Sequence, residues 1–99
     1  MREADVTEVA ALESPVVIDV REPDEYEAGH VPGARLVPLA QVPVRADELP
    51  RNRRVYVICA SGGRSAKVAE YLESRGIDAV NVAGGTTAWA NAGLPTEQG

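Results

Sequence analysis

Apolar residues in this chain fall into short runs between polar segments, and three of these runs are typical of β-strands. They are PVVIDV (15–20), RVYVIC (54–59) and DAVNVAG (78–84). In the first two, apolar side chains occupy successive positions, so both faces of each strand are expected to be buried. Runs of this kind indicate central strands of a parallel sheet that is covered on both sides.

Residues 64–76, RSAKVAEYLESRG, follow the second of these strands with the spacing of an amphipathic helix. Val68, Ala69 and Leu72 share one face, while the charged side chains lie elsewhere. Gly76 is expected to end this helix, because glycine readily adopts the left-handed conformation found after helix C-termini.

The remaining segments are predicted from the same kind of spacing and from the positions of proline and glycine. In chain order they are a short helix in 5–14 capped by Asp5 or Thr7, a loop with one helical turn in 21–34, a short strand in 35–39, a loop with a helical turn in 41–52, and a last short helix in 85–95 that ends near Gly93 and Pro95. Pro38 restricts the short strand to an edge of the sheet, since proline cannot donate a ladder hydrogen bond.

The alternation of strands and helices predicts an α/β fold, a small parallel sheet with helices on both sides in an α/β/α sandwich. The 99 residues are enough for one compact domain, 1–99, and too few for two. In such sheets, ligands bind beyond the carboxyl ends of the strands. Cys59, the only cysteine, lies at one of these ends and is the first candidate for a functional side chain.

Composition and charge exclude several classes of function. The net charge of -5 and the pI of about 4.8 argue against a nucleic-acid partner and against a basic membrane-binding face. No apolar run approaches the roughly 20 residues that cross a bilayer, and the acidic N-terminus is unlike a secretory signal. One cysteine forms no internal disulfide and, with one histidine, no structural zinc site. A cytoplasmic location is expected on these grounds.

The segment CASGGRS (59–65) joins the second buried strand to its helix and has the composition of an anion-binding loop. Gly62 and Gly63 allow a tight turn whose N–H groups face inward, and the positive end of the helix points to the same place. A thiol there is expected to ionise more readily than a free cysteine. Arg64 adds a charge that can hold an oxyanion through two parallel hydrogen bonds. The pattern predicts a thiolate nucleophile in an anion cradle.

Two other interpretations apply to this segment. A cysteine at a strand end can be a small buried hydrophobic residue without chemistry. The loop could instead bind a nucleotide phosphate, but the Walker pattern requires Lys and then Ser or Thr after its last glycine. Arg64 and Ser65 stand at those positions, with a different glycine spacing. The combination of a strand-end cysteine, a glycine pair, an arginine and a helix favours the nucleophile.

Three sequence patterns resemble those of the rhodanese family, and together they span nearly the whole chain. They are VIDVREPDEYEAGHVPGARLVPL, the loop CASGGRS, and VAGGTTAWANAGLP. The resemblance implies a sulfurtransferase, in which Cys59 takes a sulfane sulfur from a small sulfur-containing anion such as thiosulfate and becomes a persulfide. Cys59 then passes the sulfur to a thiol, to cyanide or to a sulfur-carrier protein.

In that scheme the loop residues bind the donor and the persulfide. The N–H groups stabilise the persulfide anion as an oxyanion hole stabilises oxygen, and Arg64 binds the sulfonate end of the donor. The predicted substrate-binding residues are Ala60, Ser61, Gly62, Gly63, Arg64 and Ser65. No cofactor, metal, nucleic acid or membrane is expected to take part. Because Ala60 and Ser61 are uncharged where some family members carry basic residues, thiosulfate is expected to bind loosely.

The main alternative function is a non-catalytic rhodanese-like module that binds a partner or senses redox state. The presence of Cys59 favours the enzyme, since such modules often lack this residue. A weaker alternative is a cysteine-dependent phosphatase. Phosphatases of this fold use Cys-x5-Arg, whereas the spacing here is Cys-x4-Arg, and the loop has no acidic residue to protonate a leaving alcohol.

Several other conspicuous side chains are predicted to be structural. Asp19, Arg21 and Glu25 are expected to tie the loop after PVVIDV through ion pairs and hydrogen bonds to backbone, although Asp19 lies close enough to the site to touch it. His30 is expected to fix its own loop rather than to act as the base of a Cys-His pair. Trp89 is expected to pack in the core beneath the last helix.

Overall fold

The computed structural model describes all 99 residues, which form one parallel β-sheet with helices on both faces. The strands are β1 (Arg2–Ala4), β2 (Val16–Asp19), β3 (Arg35–Leu36), β4 (Val55–Ile58) and β5 (Ala79–Val82). Their order across the sheet is β1-β5-β4-β2-β3, and every neighbouring pair is parallel. This architecture confirms the predicted α/β/α sandwich and places the short strand with Pro38 after it at an edge.

Five helices connect and cover the strands. They are α1 (Val6–Ala10), α2 (Pro23–Ala28), α3 (Val42–Arg45), α4 (Gly63–Ser74) and α5 (Gly85–Asn91). Two 3-10 turns, Leu39–Gln41 and Ala46–Glu48, flank α3. None of the helices combines the length and the apolar character that crossing a membrane requires.

The sheet separates two apolar cores. One lies under α3 and α4 and includes Val42, Val68 and Leu72. The other lies under α1 and α5 and includes Val9 and Trp89. The central strand β4 contributes side chains to both cores, and all four of its residues are buried. This double burial is the physical reason for the continuous apolar run in its sequence.

Local sequence signals explain where the predicted helices begin and end. Asp5 accepts a hydrogen bond from the Thr7 N–H, and Glu8 accepts one from the Asp5 N–H, so a reciprocal capping box starts α1. Helix α4 ends at Ser74, and Gly76 follows with a φ of +84°. This left-handed glycine turns the chain towards β5.

Two elements differ from the prediction. Strand β1 is absent from the sequence pattern because it has three residues, of which only Ala4 is buried; parallel pairing with β5 forms it. Helix α2 extends over six residues where one turn is expected. Pro23 at its first position and a capping box between Glu22 and Glu25 start this longer helix.

The strand register brings the loops after the central strands to one edge of the sheet. Asp19 pairs with Ile58 across β2 and β4, and Val57 pairs with Asn81 across β4 and β5. The carboxyl ends of these three strands therefore lie nearly level. Cys59, the next residue after β4, lies at the middle of this edge.

Candidate active site

Cys59 is buried at the point where β4 ends, with 1% of its surface exposed. The chain turns sharply after it, because Gly62 takes a φ of +103° and caps α4, which begins at Gly63. A residue with a side chain is strained in this conformation, so the turn favours glycine. The turn brings the first residues of α4 back to the sulfur.

Three hydrogen-bond donors lie within 3.3 Å of the Cys59 sulfur. The backbone N–H of Gly62 lies 3.1 Å from Sγ, the N–H of Ser65 lies 3.3 Å away, and the Ser65 hydroxyl lies 3.2 Å away. The first turn of α4 supplies two of these groups, and the helix dipole adds positive potential there. The sulfur therefore occupies a nest that stabilises a negative charge.

The pKa of the Cys59 thiol lies below its ordinary value. Burial alone raises this pKa, but hydrogen bonds from the Ser65 hydroxyl and from the N–H groups of Ser65, Gly62 and Ser61 outweigh it. A larger fraction of the group is therefore thiolate near neutral pH than in a free cysteine.

Ser65 connects the sulfur to a buried amide that the sequence analysis does not identify. The Ser65 hydroxyl lies 2.5 Å from Oδ1 of Asn81, whose Nδ2 donates to Glu3 at 3.1 Å and to the Gly62 carbonyl at 3.3 Å. Asn81 is 1% exposed. Its only sequence signal is a polar residue inside the otherwise apolar run DAVNVAG.

The Ser65 hydroxyl has one proton and two possible acceptors, so its orientation depends on the state of Cys59. A hydroxyl that donates to Asn81 Oδ1 is free to accept the S–H group of a thiol. When the sulfur is a thiolate, the hydroxyl donates to Sγ. The Ser65 hydroxyl therefore stabilises the thiolate form of Cys59 directly and makes the thiol more acidic.

Replacing Ser65 with Ala is expected to raise the Cys59 pKa, because a charge-assisted hydrogen bond to the thiolate is lost. The thiolate absorbance in the ultraviolet, titrated against pH, measures this change. Ser61→Ala is the matched control, since the Ser61 side chain is exposed and donates to no group. Equal pKa values in Ser65→Ala and the wild type would contradict the assignment.

The cysteine loop is held from its other side by the start of α5. The N–H of Thr86 donates to the Cys59 carbonyl at 2.8 Å, and the N–H of Thr87 donates to the Ala60 carbonyl at 3.0 Å. Gly85 lies so close that a Cβ atom there would contact the Cys59 oxygen and lie 2.6 Å from the Ala60 oxygen. These bonds direct the carbonyls of the loop away from the sulfur, which leaves N–H groups to face it.

Arg64 forms a two-point ion pair with Glu25 of α2. Nη1 and Nη2 each lie 2.9 Å from one carboxylate oxygen. The same carboxylate accepts the Glu22 N–H at 3.0 Å, so Glu25 also caps its own helix. The predicted role of Glu25 in an ion pair and in a hydrogen bond to backbone is confirmed, and its ion-pair partner is the arginine of the cysteine loop.

This pair shifts the pKa of both groups in the direction that keeps them charged. Hydrogen bonding to Arg64, followed by the bond from the Glu22 backbone, lowers the pKa of Glu25 from 4.5 to about 2. Hydrogen bonding to Glu25 raises the pKa of Arg64 above its ordinary value. Glu25 therefore stays ionised throughout the physiological range.

The depressed pKa of Glu25 predicts a pH-dependent contribution to stability. Because its folded-state pKa of about 2 lies below the ordinary 4.5, the contribution is complete above pH 4.5 and is lost as the pH falls towards 2. Glu25→Gln is expected to lower the free energy of unfolding by about 0.5–1 kcal/mol at neutral pH, since the pair is partly exposed. Urea unfolding across pH measures the difference, with Glu27→Gln as control. A difference that persisted unchanged at pH 2 would contradict this origin.

The other side chains singled out in the sequence have structural contacts. The buried Asp19 carboxylate accepts hydrogen bonds from the backbone and guanidinium of Arg21, which also donates to the Gly29 carbonyl. His30 Nδ1 lies 2.8 Å from the Tyr26 carbonyl, and no hydrogen bond joins His30 to Cys59. These contacts fix the loops around α2, as predicted. Trp89, as predicted, is buried in the core.

Comparisons with known sequences agree over most of the chain. A family model for the rhodanese-like domain matches residues 5–92. A sulfurtransferase from Allochromatium vinosum is 39% identical over 88 residues, which cover 88% of this chain and 82% of that protein. The thiosulfate sulfurtransferase GlpE of Pseudoalteromonas translucida is 32% identical over 87 residues, which cover 87% of this chain and 83% of that protein.

Solved structures of rhodanese-like proteins have the same fold as this chain. The crystal structure of a rhodanese-related protein from Thermoplasma volcanium matches with a TM-score of 0.95 and 30% identity, covering 100% of both chains. The agreement therefore includes the whole sheet and the helices that cover it. Together with the sequence comparisons, it shows that this chain belongs to the family of rhodanese-like domains.

Proposed function

We propose that this protein is a sulfurtransferase that carries a sulfane sulfur on Cys59 as a persulfide. The observation that carries the proposal is the position of the Cys59 sulfur among three donors, the N–H groups of Gly62 and Ser65 and the Ser65 hydroxyl. This environment lowers the pKa of the thiol without a neighbouring histidine. A thiolate formed in this way is a nucleophile that needs no general base.

The first step is the attack of the Cys59 thiolate on the outer sulfur of the donor. A bond forms between Sγ and that sulfur, the sulfur–sulfur bond of the donor breaks, and the electron pair leaves with the remainder of the donor. With thiosulfate the leaving group is sulfite. The product is a Cys59 persulfide whose negative charge lies on the outer sulfur.

The second step returns Cys59 to its thiolate form. An acceptor thiolate, or cyanide in an assay, attacks the outer sulfur, and the bond between this sulfur and Sγ breaks. The electron pair returns to Sγ, so oxidation states balance without an external oxidant. Hydrogen bonds around Sγ stabilise this leaving thiolate for the same reason that they lower its pKa.

We assign the loop residues Ala60, Ser61, Gly62, Gly63, Arg64 and Ser65 to the binding of donor and persulfide through their backbone N–H groups. Support comes from the turn geometry, since the first turn of α4 and Gly62 direct N–H groups to the sulfur. The acceptor is a small thiol or a sulfur-carrier protein, and residues 1–99 act as one domain. A reduced cysteine is compatible with the reducing cytoplasm, where we place the reaction.

Intact-protein mass after treatment with thiosulfate or with cysteine persulfide tests the proposal. The wild type is expected to gain one sulfur atom, and cyanide is expected to remove it. The Cys59→Ala variant is expected to gain none. If neither donor adds sulfur to the wild type, the protein is a rhodanese-like binding module and the proposed function is wrong.

A further inference from the structure

The charge of Arg64, which belongs to the cysteine loop, is neutralised inside the molecule. Both terminal nitrogens of its guanidinium bind the carboxylate oxygens of Glu25 at 2.9 Å. The side chains of Arg64 and Glu25 are 37% and 33% exposed, so the pair lies at the surface and not in the core, and Arg64 belongs to the same loop as Cys59. A sulfonate that approaches the Arg64 guanidinium therefore meets the carboxylate that is already bound to it.

The other cations near this edge do not replace Arg64. The guanidinium of Arg21 is bound to the buried carboxylate of Asp19. Lys67 lies one turn further along α4 and lines a surface pocket together with the exposed Leu39 and with Tyr71. The loop itself offers N–H groups and no second charge, and the net charge of the chain is -5. The potential at the entrance does not favour a doubly charged anion.

Building on the proposed sulfur transfer, we propose that Glu25 is a specificity-determining residue that selects the class of sulfur donor. By pairing with Arg64 it removes the cation that a sulfonate needs, so Cys59 is loaded from persulfides of small thiols in preference to thiosulfate. A persulfide carries less charge than thiosulfate, and its leaving group is a thiolate that needs no cationic site.

Loading of Cys59 from a persulfide transfers one sulfur atom between two thiolates. The Cys59 thiolate attacks the outer sulfur of the donor persulfide, and a bond forms between Sγ and that sulfur. The sulfur–sulfur bond of the donor breaks, and its electron pair leaves with the donor thiolate, which takes a proton from water. The sulfane sulfur keeps its oxidation state, and no further reactant is needed.

Kinetics of Cys59 loading with two donors tests this inference. Glu25→Gln keeps an oxygen that accepts the Glu22 N–H but removes the charge that holds Arg64. We expect the KM for thiosulfate to fall about fivefold to tenfold, with kcat little changed, because a charged guanidinium becomes available to the sulfonate. With cysteine persulfide, KM is expected to change by less than about twofold, since that donor has no sulfonate.

Glu27→Gln is the matched control, because it removes one negative charge from the same helix and Glu27 forms no side-chain hydrogen bond with Arg64. It is expected to change the KM for thiosulfate by less than about twofold at moderate salt. The gain in Glu25→Gln is expected to shrink as salt rises from about 0.05 to about 0.5 M, as a charge interaction requires.

Several results would overturn the inference. An unchanged KM for thiosulfate in Glu25→Gln, or an equal fall in Glu27→Gln, would show that the pair does not select the donor. Efficient use of thiosulfate by the wild type that is lost in Lys67→Met would assign the sulfonate site to Lys67. If cysteine persulfide loads Cys59 in these experiments, the proposed sulfur transfer stands regardless. If no donor loads Cys59, both proposals are wrong.

Discussion

Replacing Cys59 with Ser is expected to lower kcat/KM for sulfur transfer at least about a thousandfold, because the hydroxyl is not ionised near neutral pH and the reacting sulfur is lost. The assay is transfer of sulfane sulfur from cysteine persulfide to cyanide. The variant keeps the size of the side chain, so the buried site at the end of β4 is expected to remain intact.

Two measurements separate this chemical effect from a structural one. Urea unfolding of Cys59→Ser is expected to give a free energy of unfolding within about 1 kcal/mol of the wild type, since serine nearly matches the volume of cysteine. The thiolate absorbance in the ultraviolet is expected to disappear with the substitution. A Cys59→Ser protein that is stable and still transfers sulfur at the wild-type rate would remove Cys59 from the reaction.

Gly85→Ala is expected to destabilise the protein by about 3–5 kcal/mol, which is the largest expected effect of a single methyl group in this chain. The φ of Gly85 is +58°, and its added Cβ would lie 2.6 Å from the Ala60 oxygen. Relief of this contact requires α5 to move from the cysteine loop. The hydrogen bonds from Thr86 and Thr87 to the loop carbonyls are then weakened.

Gly93→Ala is the control that isolates the close approach. Gly93 also has a positive φ, +73°, but no atom lies within 4 Å of its added Cβ. Gly93→Ala is expected to lower the free energy of unfolding by about 1 kcal/mol, because alanine disfavours the left-handed backbone conformation. Thermal unfolding measures the stability of both variants. The midpoint of Gly85→Ala is expected to lie at least about 12 °C below that of the wild type.

Gly85→Ala is also expected to raise the Cys59 pKa. When the loop carbonyls are displaced, the N–H groups of the loop move with them, and their hydrogen bonds to the thiolate are weakened. Equal midpoints for Gly85→Ala and Gly93→Ala would show that α5 does not support the loop. An unchanged Cys59 pKa in a destabilised Gly85→Ala protein would show that the loop keeps its shape without this support.

The sequence alone determined the architecture of this protein and the location of its candidate nucleophile. Apolar runs that are buried on both faces predict central parallel strands, and the strand that ends at Ile58 places Cys59 at the carboxyl edge of the sheet. These inferences succeed because they depend on local periodicity and on turn residues, both of which are visible in a short window. The turn at Gly62 and Gly63, where α4 begins, belongs to the same class of signal.

The sequence did not determine β1, because its three residues become a strand only by pairing with β5, at the other end of the chain. The sequence also did not identify the groups that form hydrogen bonds with the cysteine loop. Asn81 is a polar residue in an apolar run, and its hydrogen bond to Ser65 depends on the register between β4 and β5.

Only the tertiary structure decided the electrostatic state of the site. Arg64 and Glu25 are 39 positions apart, and no local pattern shows that the fold would bring their side chains together. Gly85 is a second example. A side chain does not fit at this position, because the carbonyls of the cysteine loop, which lies elsewhere in the chain, are too close. Local periodicity therefore places the sulfur at the edge of the sheet. The charges and backbone groups that face it are set by long-range packing, which no short stretch of sequence encodes.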